Sequence, residues 1–78
     1  MTPGELFRSR RVSNNYSQQY VANYLNISRN AYSEWENDRT NITLKQCEQI
    51  CELYEITLNE LLEPYINKKQ NRMLKKAV

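Results

Sequence analysis

The stretch SQQYVANYLNISRNAYSEWEN, residues 17–37, decides the fold. It contains two short amphipathic segments that are separated only by Asn26, Ile27 and Ser28. A connection of this length forces a sharp angle between two consecutive helices. Asn26 stands where such a turn needs a left-handed backbone, which asparagine tolerates better than any residue except glycine. The stretch therefore predicts two helices joined by a tight turn.

Helix-capping residues mark the starts of helices along the whole chain. Capping side chains of the preferred kind occur at Thr2, Ser17, Ser28, Thr43 and Thr57. The three threonines also have Glu or Gln three residues later, which is the spacing of a capping box. Pro3 adds the residue favoured at a first helical position. These signals predict helices over about residues 3–13, 18–25, 29–37, 44–54 and 58–63, an all-α, compact five-helix domain.

Apolar residues at helical spacing predict the core. The fourth predicted helix has one apolar stripe, which comprises Leu44, Cys47, Ile50, Cys51 and Tyr54. We expect Ile50 of this stripe and Trp35 of the third predicted helix to be buried. Cys47 and Cys51 are the only cysteines. Two thiolates cannot complete a tetrahedral zinc site, and free cysteine is among the most buried residue types. We therefore interpret them as small core side chains and not as a metal or redox site.

Length and composition exclude several classes of protein. The 78 residues are enough for one small domain, and no apolar run approaches a membrane span. The chain has no histidine and only one glycine, so it lacks the commonest general base and a phosphate-binding glycine loop. We expect no enzyme, no cofactor, no metal and no small-molecule ligand. The first residues do not resemble a signal peptide, which favours the cytoplasm of a microbe.

Charge is distributed unevenly along the chain. Residues 1–39 carry five Arg against four acids, residues 40–63 carry one Lys against five Glu, and residues 64–78 carry five cations and no acid. The middle part would repel a polyanion, so a nucleic-acid surface must come from the first half, the basic end, or both. The alternative for the basic end is a solvated segment that aids solubility.

The third predicted helix has one wholly polar arc. At 100° per residue this arc contains Arg29, Asn30, Ser33, Glu34 and Asn37, whereas Tyr32 and Trp35 lie on the other side. Arg, Asn, Glu and Ser are side chains that hydrogen-bond to base edges in DNA. Any surface helix also has a polar side, so the helical wheel alone leaves both interpretations open.

The residues 17–37 resemble the helix-turn-helix of the phage-repressor family, the Cro and Xre type. The similar features are Ser17-Gln18, Ala22, Ile27-Ser28 and Trp35-Glu36-Asn37. Beyond them, the apolar pattern from Leu44 to Leu62 resembles the fourth and fifth helices of the family, so the resemblance covers about residues 5–63. It implies a lambda-repressor-like fold that binds double-stranded DNA.

The resemblance assigns expected roles residue by residue. Base-reading positions of the third helix are Arg29, Asn30, Ser33 and Glu34. Phosphate-binding positions are Gln18, Asn37, Arg39 and Asn41. Arg11 and Glu36 match an ion pair that joins the first and third helices in some members, and a phosphate contact is an alternative or additional role for Arg11.

Four residues depart from the family pattern. Asn26, Asp38 and Glu55 stand where glycine is usual at a turn or helix end, and Arg10 replaces a core leucine. Aspartate and glutamate adopt a left-handed backbone at a higher cost, so we expect the ends after the third and fourth helices to be shaped differently. The helix face around Arg10 is expected to be more polar.

These observations predict a sequence-specific transcriptional regulator, most simply a repressor, that acts as a homodimer on an inverted repeat. Candidate dimer contacts are Leu62, Tyr65 and Ile66, because bulky apolar groups there would otherwise be exposed. The domain is expected to span residues 1–63, and residues 64–78 form a basic extension that is a sixth helix, part of the dimer contact, or a flexible arm. The alternative function is a protein-binding adaptor or an antitoxin-type partner on the same fold.

Overall fold

The computed structural model of the protein describes residues 1–66, which form five helices and no strand. In chain order these are α1 (Pro3–Ser13), α2 (Gln18–Leu25), α3 (Arg29–Glu36) and α4 (Leu44–Tyr54), followed by α5 over residues 58–66. The prediction of an all-α, five-helix domain is confirmed. The predicted bounds are correct except that α3 ends at Glu36 and α5 extends beyond residue 63. Most of the basic extension, residues 67–78, lies outside the described residues.

The predicted caps begin the helices, with one correction. Thr43 and Gln46 form the complete capping box, and Thr57 and Glu60 form both of its hydrogen bonds. At Thr2 only one of the two hydrogen bonds of the predicted capping box is present. The Thr2 hydroxyl accepts from the Glu5 amide, but the Glu5 carboxylate accepts from that hydroxyl and not from the Thr2 amide. The Thr2 hydroxyl also contacts Asp38 after α3.

The core is formed by side chains from all five helices. Tyr32, Phe7, Ile50, Leu61 and Val21 are the largest side chains that are fully buried. Cys47 and Cys51 are free and buried, which confirms the prediction that they are small core side chains. Burial raises the pKa of both thiols. The prediction for Leu44 is wrong, because this side chain is 61% exposed. It occupies the first position of α4, directly after the cap, where the helix has only begun to pack.

Replacing Ile50 by alanine should lower the free energy of unfolding by about 2–5 kcal/mol, because it deletes a fully buried side chain and leaves a cavity. Urea denaturation followed by circular dichroism measures the change. Leu44→Ala on the same helix is the matched control and should change stability little. Equal losses for the two variants would contradict the burial described here.

The first turn of α1 packs directly on the end of α3. Gly4, the only glycine of the chain, is buried at this contact. A Cβ atom at Gly4 would lie 2.5 Å from the carbonyl oxygen of Glu36 and 2.6 Å from that of Trp35. No side chain fits there without movement of backbone, so the absence of a Cβ sets the distance between the two helices.

The chain leaves α3 and α4 through left-handed residues, contrary to the expectation of differently shaped ends. Asp38 has φ 57° and Glu55 has φ 53°, the region usually occupied by glycine. At Asp38 a compensating interaction is present. Its Oδ1 accepts from the Gly4 amide at 2.8 Å, and its Oδ2 accepts from the Thr2 hydroxyl. The carboxylate thus binds the N-terminus of α1, where a negative charge is favourable.

A hydrogen bond from Arg10 of α1 compensates for the effect of Pro64 on the backbone of α5. Proline has no amide hydrogen, so Pro64 leaves the carbonyl of Glu60, four residues earlier, without its helical partner. Arg10 Nη2 donates to this carbonyl oxygen at 3.4 Å. The expected polar character at Arg10 is therefore present, and it serves a helix that continues through the proline to residue 66.

Candidate nucleic-acid interface

The turn between α2 and α3 fixes the position of α3. Asn26 takes the left-handed conformation with φ 60° and ψ 41°, as the sequence predicted. The amide of Ile27 then donates to the carbonyl of Ala22 at 3.0 Å, and the Ser28 hydroxyl accepts from the Ala31 amide at 3.0 Å. Ile27 itself packs against the core. The turn thus ends α2, anchors the connection and begins α3 within three residues.

Burial divides α3 into two faces. Tyr32, Trp35 and Glu36 are buried, whereas Arg29 and Asn30 are exposed and Ser33 is half-buried. Arg29 and Asn30 make no side-chain hydrogen bond within residues 1–66. The outward face therefore presents hydrogen-bonding side chains at the surface, on a helix whose other side is held by the core.

Neighbouring side chains contact each other at the C-terminal end of this face. Glu34 Oε2 lies 3.6 Å from Arg39 Nη1, and the Arg39 side chain is 72% exposed. Asn37 Nδ2 donates to the carbonyl of Ser33 at 2.9 Å and to its hydroxyl at 3.3 Å. Asn41 is exposed in the loop before α4. This places the phosphate candidates of the loop beside the end of the α3 face.

A shallow depression connects the start of α2 with the start of α3. It is lined by Arg11, Ser17, Gln18, Gln19 and Arg29. Two guanidinium groups thus border the N-terminus of α2, and both features favour an anion. Sequence reasoning named Arg11, Gln18 and Arg29 as site residues and missed Ser17 and Gln19. Their positions as the cap of α2 and the residue after Gln18 were the available signals.

The ion pair of Arg11 and Glu36 lies directly beneath this depression. Arg11 Nε donates to Glu36 Oε2 at 2.7 Å, and Arg11 Nη2 donates to Oε1 at 3.2 Å. Gln18 Nε2 also donates to Glu36 Oε1, at 3.1 Å, and Arg11 Nη1 donates to the carbonyl of Tyr16 at 3.0 Å. Glu36 therefore joins α1, α2 and α3 at one buried carboxylate. A bidentate guanidinium pair of this kind gives geometric specificity.

The pKa of Glu36 reflects this environment. Burial of the carboxylate opposes ionisation, but hydrogen bonds from Arg11 and Gln18 and the positive charge of Arg11 outweigh it and hold the pKa below its usual value. A carboxylate with a lowered folded-state pKa stabilises the fold above its unfolded pKa, and that stability is lost as the pH falls through the folded value.

The unfolding free energy should consequently fall as the pH is lowered from about 5 towards 3, with Glu36 as one contributor. In Glu36→Gln the decrease should be shallower, although this variant is less stable at neutral pH. Urea denaturation at a series of pH values measures both curves. Glu52→Gln, an exposed residue of α4, is the control and should follow the wild-type curve. If Glu36→Gln also followed it, the carboxylate would not be coupled to Arg11 as described.

Comparison with known families agrees with the geometry. A helix-turn-helix family model, of the Cro and Xre type, matches residues 7–61. The chain belongs to this helix-turn-helix family. The match begins within α1 and ends within α5, so it includes the turn, the outward face of α3 and the buried ion pair of the domain. No curated protein matches the chain.

Family membership identifies the helix-turn-helix domain as a DNA-binding regulatory domain and not a member of a catalytic family. It supports double-stranded DNA as the partner. Within residues 1–66, no group of three or more His, Cys, Asp or Glu is placed to hold a metal ion. In the same residues no helix combines the length and apolarity that crossing a bilayer requires.

Proposed function

We propose that the protein is a sequence-specific transcriptional regulator, acting as a repressor, whose α3 enters the major groove of double-stranded DNA. The observation that carries the proposal is the division of α3 into a buried face and an outward polar face. A helix held by its core side can enter a groove without rearrangement. The surrounding guanidinium groups provide the positive charge that a polyanion requires.

Base edges are contacted by Arg29, Asn30, Ser33 and Glu34. The Arg29 guanidinium suits the two acceptors of guanine, and the Asn30 amide suits adenine. Ser33 hydrogen-bonds to either kind of base. Glu34 accepts from the amino group of cytosine, and its 3.6 Å contact with Arg39 keeps this carboxylate compensated beside the phosphate backbone.

Phosphates are bound on both sides of α3 by Gln18, Asn37, Arg39 and Asn41. Gln18 lies at the N-terminus of α2, where amide groups favour an anion, and its side chain is oriented by Glu36. Arg39 projects into solvent after α3. Such contacts set the register of the domain on DNA without reading its sequence.

One α3 contacts too few base pairs to specify a site in a genome, and a homodimer doubles the number of base pairs contacted. The contact is proposed at Leu62, Tyr65 and Ile66, which are half-buried on α5. Isologous pairing of α5 places two copies of α3 on half-sites about one helical turn apart. An operator for this arrangement is an inverted repeat.

Selection of duplexes from a random pool by the purified chain tests the proposal. Enrichment of an inverted repeat with half-sites about 10 base pairs apart supports both the DNA-reading function and the two-fold dimer. Enrichment of a single short site would support reading and contradict the dimer. Absence of enrichment would contradict sequence-specific recognition.

Arg29→Ala should weaken binding to the selected duplex by about 1–3 kcal/mol and relax the preference at one base pair. Fluorescence anisotropy with single-base variants of that duplex measures the change. Arg39→Ala is the control on the same surface. It should weaken binding to all sequences and reduce the salt dependence, because it removes a phosphate contact. Unchanged base discrimination in Arg29→Ala would remove this residue from the reading role.

A further inference from the structure

The outward face of α1 is a second surface of the domain, distinct from the proposed DNA interface. A shallow depression on it is lined by Met1, Glu5, Arg8, Ser9 and Val12. Val12 is 56% exposed and Met1 46% exposed, and both charged residues are also exposed. Two apolar side chains are thus presented to solvent at the two ends of the same face.

The order of chemistry on this face is self-complementary. Glu5, Arg8 and Val12 lie at helical spacing on α1, and Met1, which precedes the Thr2 cap, lines the N-terminal end of the same depression. Along the face the order is apolar, acidic, basic, apolar. Read in the opposite direction, the order is apolar, basic, acidic, apolar. When two copies of α1 lie antiparallel across a two-fold axis, Glu5 therefore faces Arg8 of the second copy and Met1 faces its Val12. A two-fold contact repeats each pairing, so both ion pairs and both apolar pairs form together.

We propose that this face of α1 binds a second copy of the chain. The two charges are available for the contact. Arg8 forms no ion pair within residues 1–66, and the Glu5 carboxylate accepts there only from the Thr2 hydroxyl. A purely acidic or purely basic partner would match one of the two charges and oppose the other. A surface with the reversed order satisfies both charges, and an antiparallel second copy of α1 presents that order.

The contact is small because α1 has 11 residues. A single helix pair covers less area than a stable protein interface, and exposed ion pairs are screened by salt. Association through this face is therefore weak and sensitive to ionic strength. It uses residues other than Leu62, Tyr65 and Ile66, so it is a second contact between copies, separate from the proposed α5 dimer. It does not depend on DNA binding.

Sedimentation velocity of the full chain, without DNA and at low salt, tests the proposal over a series of concentrations. Arg8→Glu and Glu5→Arg should each weaken association roughly tenfold, because both ion pairs become repulsive. An equimolar mixture of these two variants should recover the wild-type mass, since acid then faces base at both positions. The double variant should recover it for the same reason. Lys45→Glu on α4 makes the same charge change on another helix and should have no effect.

Circular dichroism melts establish that the variants are folded. Val12→Lys provides a second disruption that leaves the first turn of α1 unchanged, and it should also weaken association. A wild type that stays at one mass at all concentrations would overturn the proposal. So would folded single variants that associate like the wild type, or a mixture that does not recover the wild-type mass. A failure of DNA binding in any other experiment would leave these results unaffected.

Discussion

Gly4→Ala should destabilise the domain by about 3 kcal/mol, although alanine is the better helix former by about 1 kcal/mol. The added Cβ would lie 2.5 Å from the carbonyl oxygen of Glu36, so α1 must move away from α3. That movement also stretches the 2.8 Å hydrogen bond from the Gly4 amide to Asp38. A domain of 78 residues has a total stability of about 4–12 kcal/mol, so the loss is about a quarter to three quarters of the total.

Thermal and urea denaturation measure this loss. Ser13→Ala, an exposed change in the same helix, is the control and should leave stability nearly unchanged. Because Asp38, which loses its contact with the Gly4 amide, belongs to the loop with Arg39 and Asn41, Gly4→Ala should also weaken DNA binding at temperatures where it remains folded. A variant as stable as the wild type would contradict the close approach of α1 and α3.

Arg11→Met should destabilise the domain by about 3–5 kcal/mol, the range for leaving a buried charge without its partner. The Glu36 side chain is 3% exposed, and Arg11 supplies two of its hydrogen bonds. Methionine retains most of the aliphatic length of arginine, so the loss reports on the charge and not on packing. The pKa of Glu36 should rise in this variant, because the Arg11 charge is gone and Gln18 is the remaining side chain among residues 1–66 that donates a hydrogen bond to the buried carboxylate.

The second ion pair of the domain gives a matched control. Arg39→Met breaks the contact with Glu34, in which the side chains are 72% and 42% exposed, against 14% and 3% for Arg11 and Glu36. Exposed pairs contribute about 0–1 kcal/mol, so this variant should remain nearly as stable as the wild type. Urea denaturation at neutral pH compares the two variants. Similar losses would show that burial of Glu36 does not determine the energy of its pair.

Local signals were sufficient to predict most of the fold. Capping side chains at Ser17, Ser28 and Thr43 and the left-handed Asn26 are short-range features, so the sequence contains them in full. Leu44 shows where periodicity misleads, because a residue can match an apolar stripe and still lie before the packed part of its helix.

Interactions between distant parts of the chain were not predictable in the same way. Asp38 adopts a glycine-like backbone while its carboxylate binds the N-terminus of α1, more than thirty residues earlier. Arg10 binds a carbonyl group that Pro64 leaves without a partner. Neither partner is visible from periodicity or caps. In the candidate site, the resemblance supplied the residues, whereas the joining of three helices at Glu36 required coordinates.

The central claim is that the outward face of α3 contacts the bases. Nuclear magnetic resonance of the ¹⁵N-labelled chain, titrated with the selected duplex, tests it most directly. The largest amide and side-chain shifts should fall at Arg29, Asn30, Ser33 and Glu34, with smaller shifts at the start of α2 and in the loop after α3. Shifts concentrated on α4, with the α3 face unchanged, would contradict it.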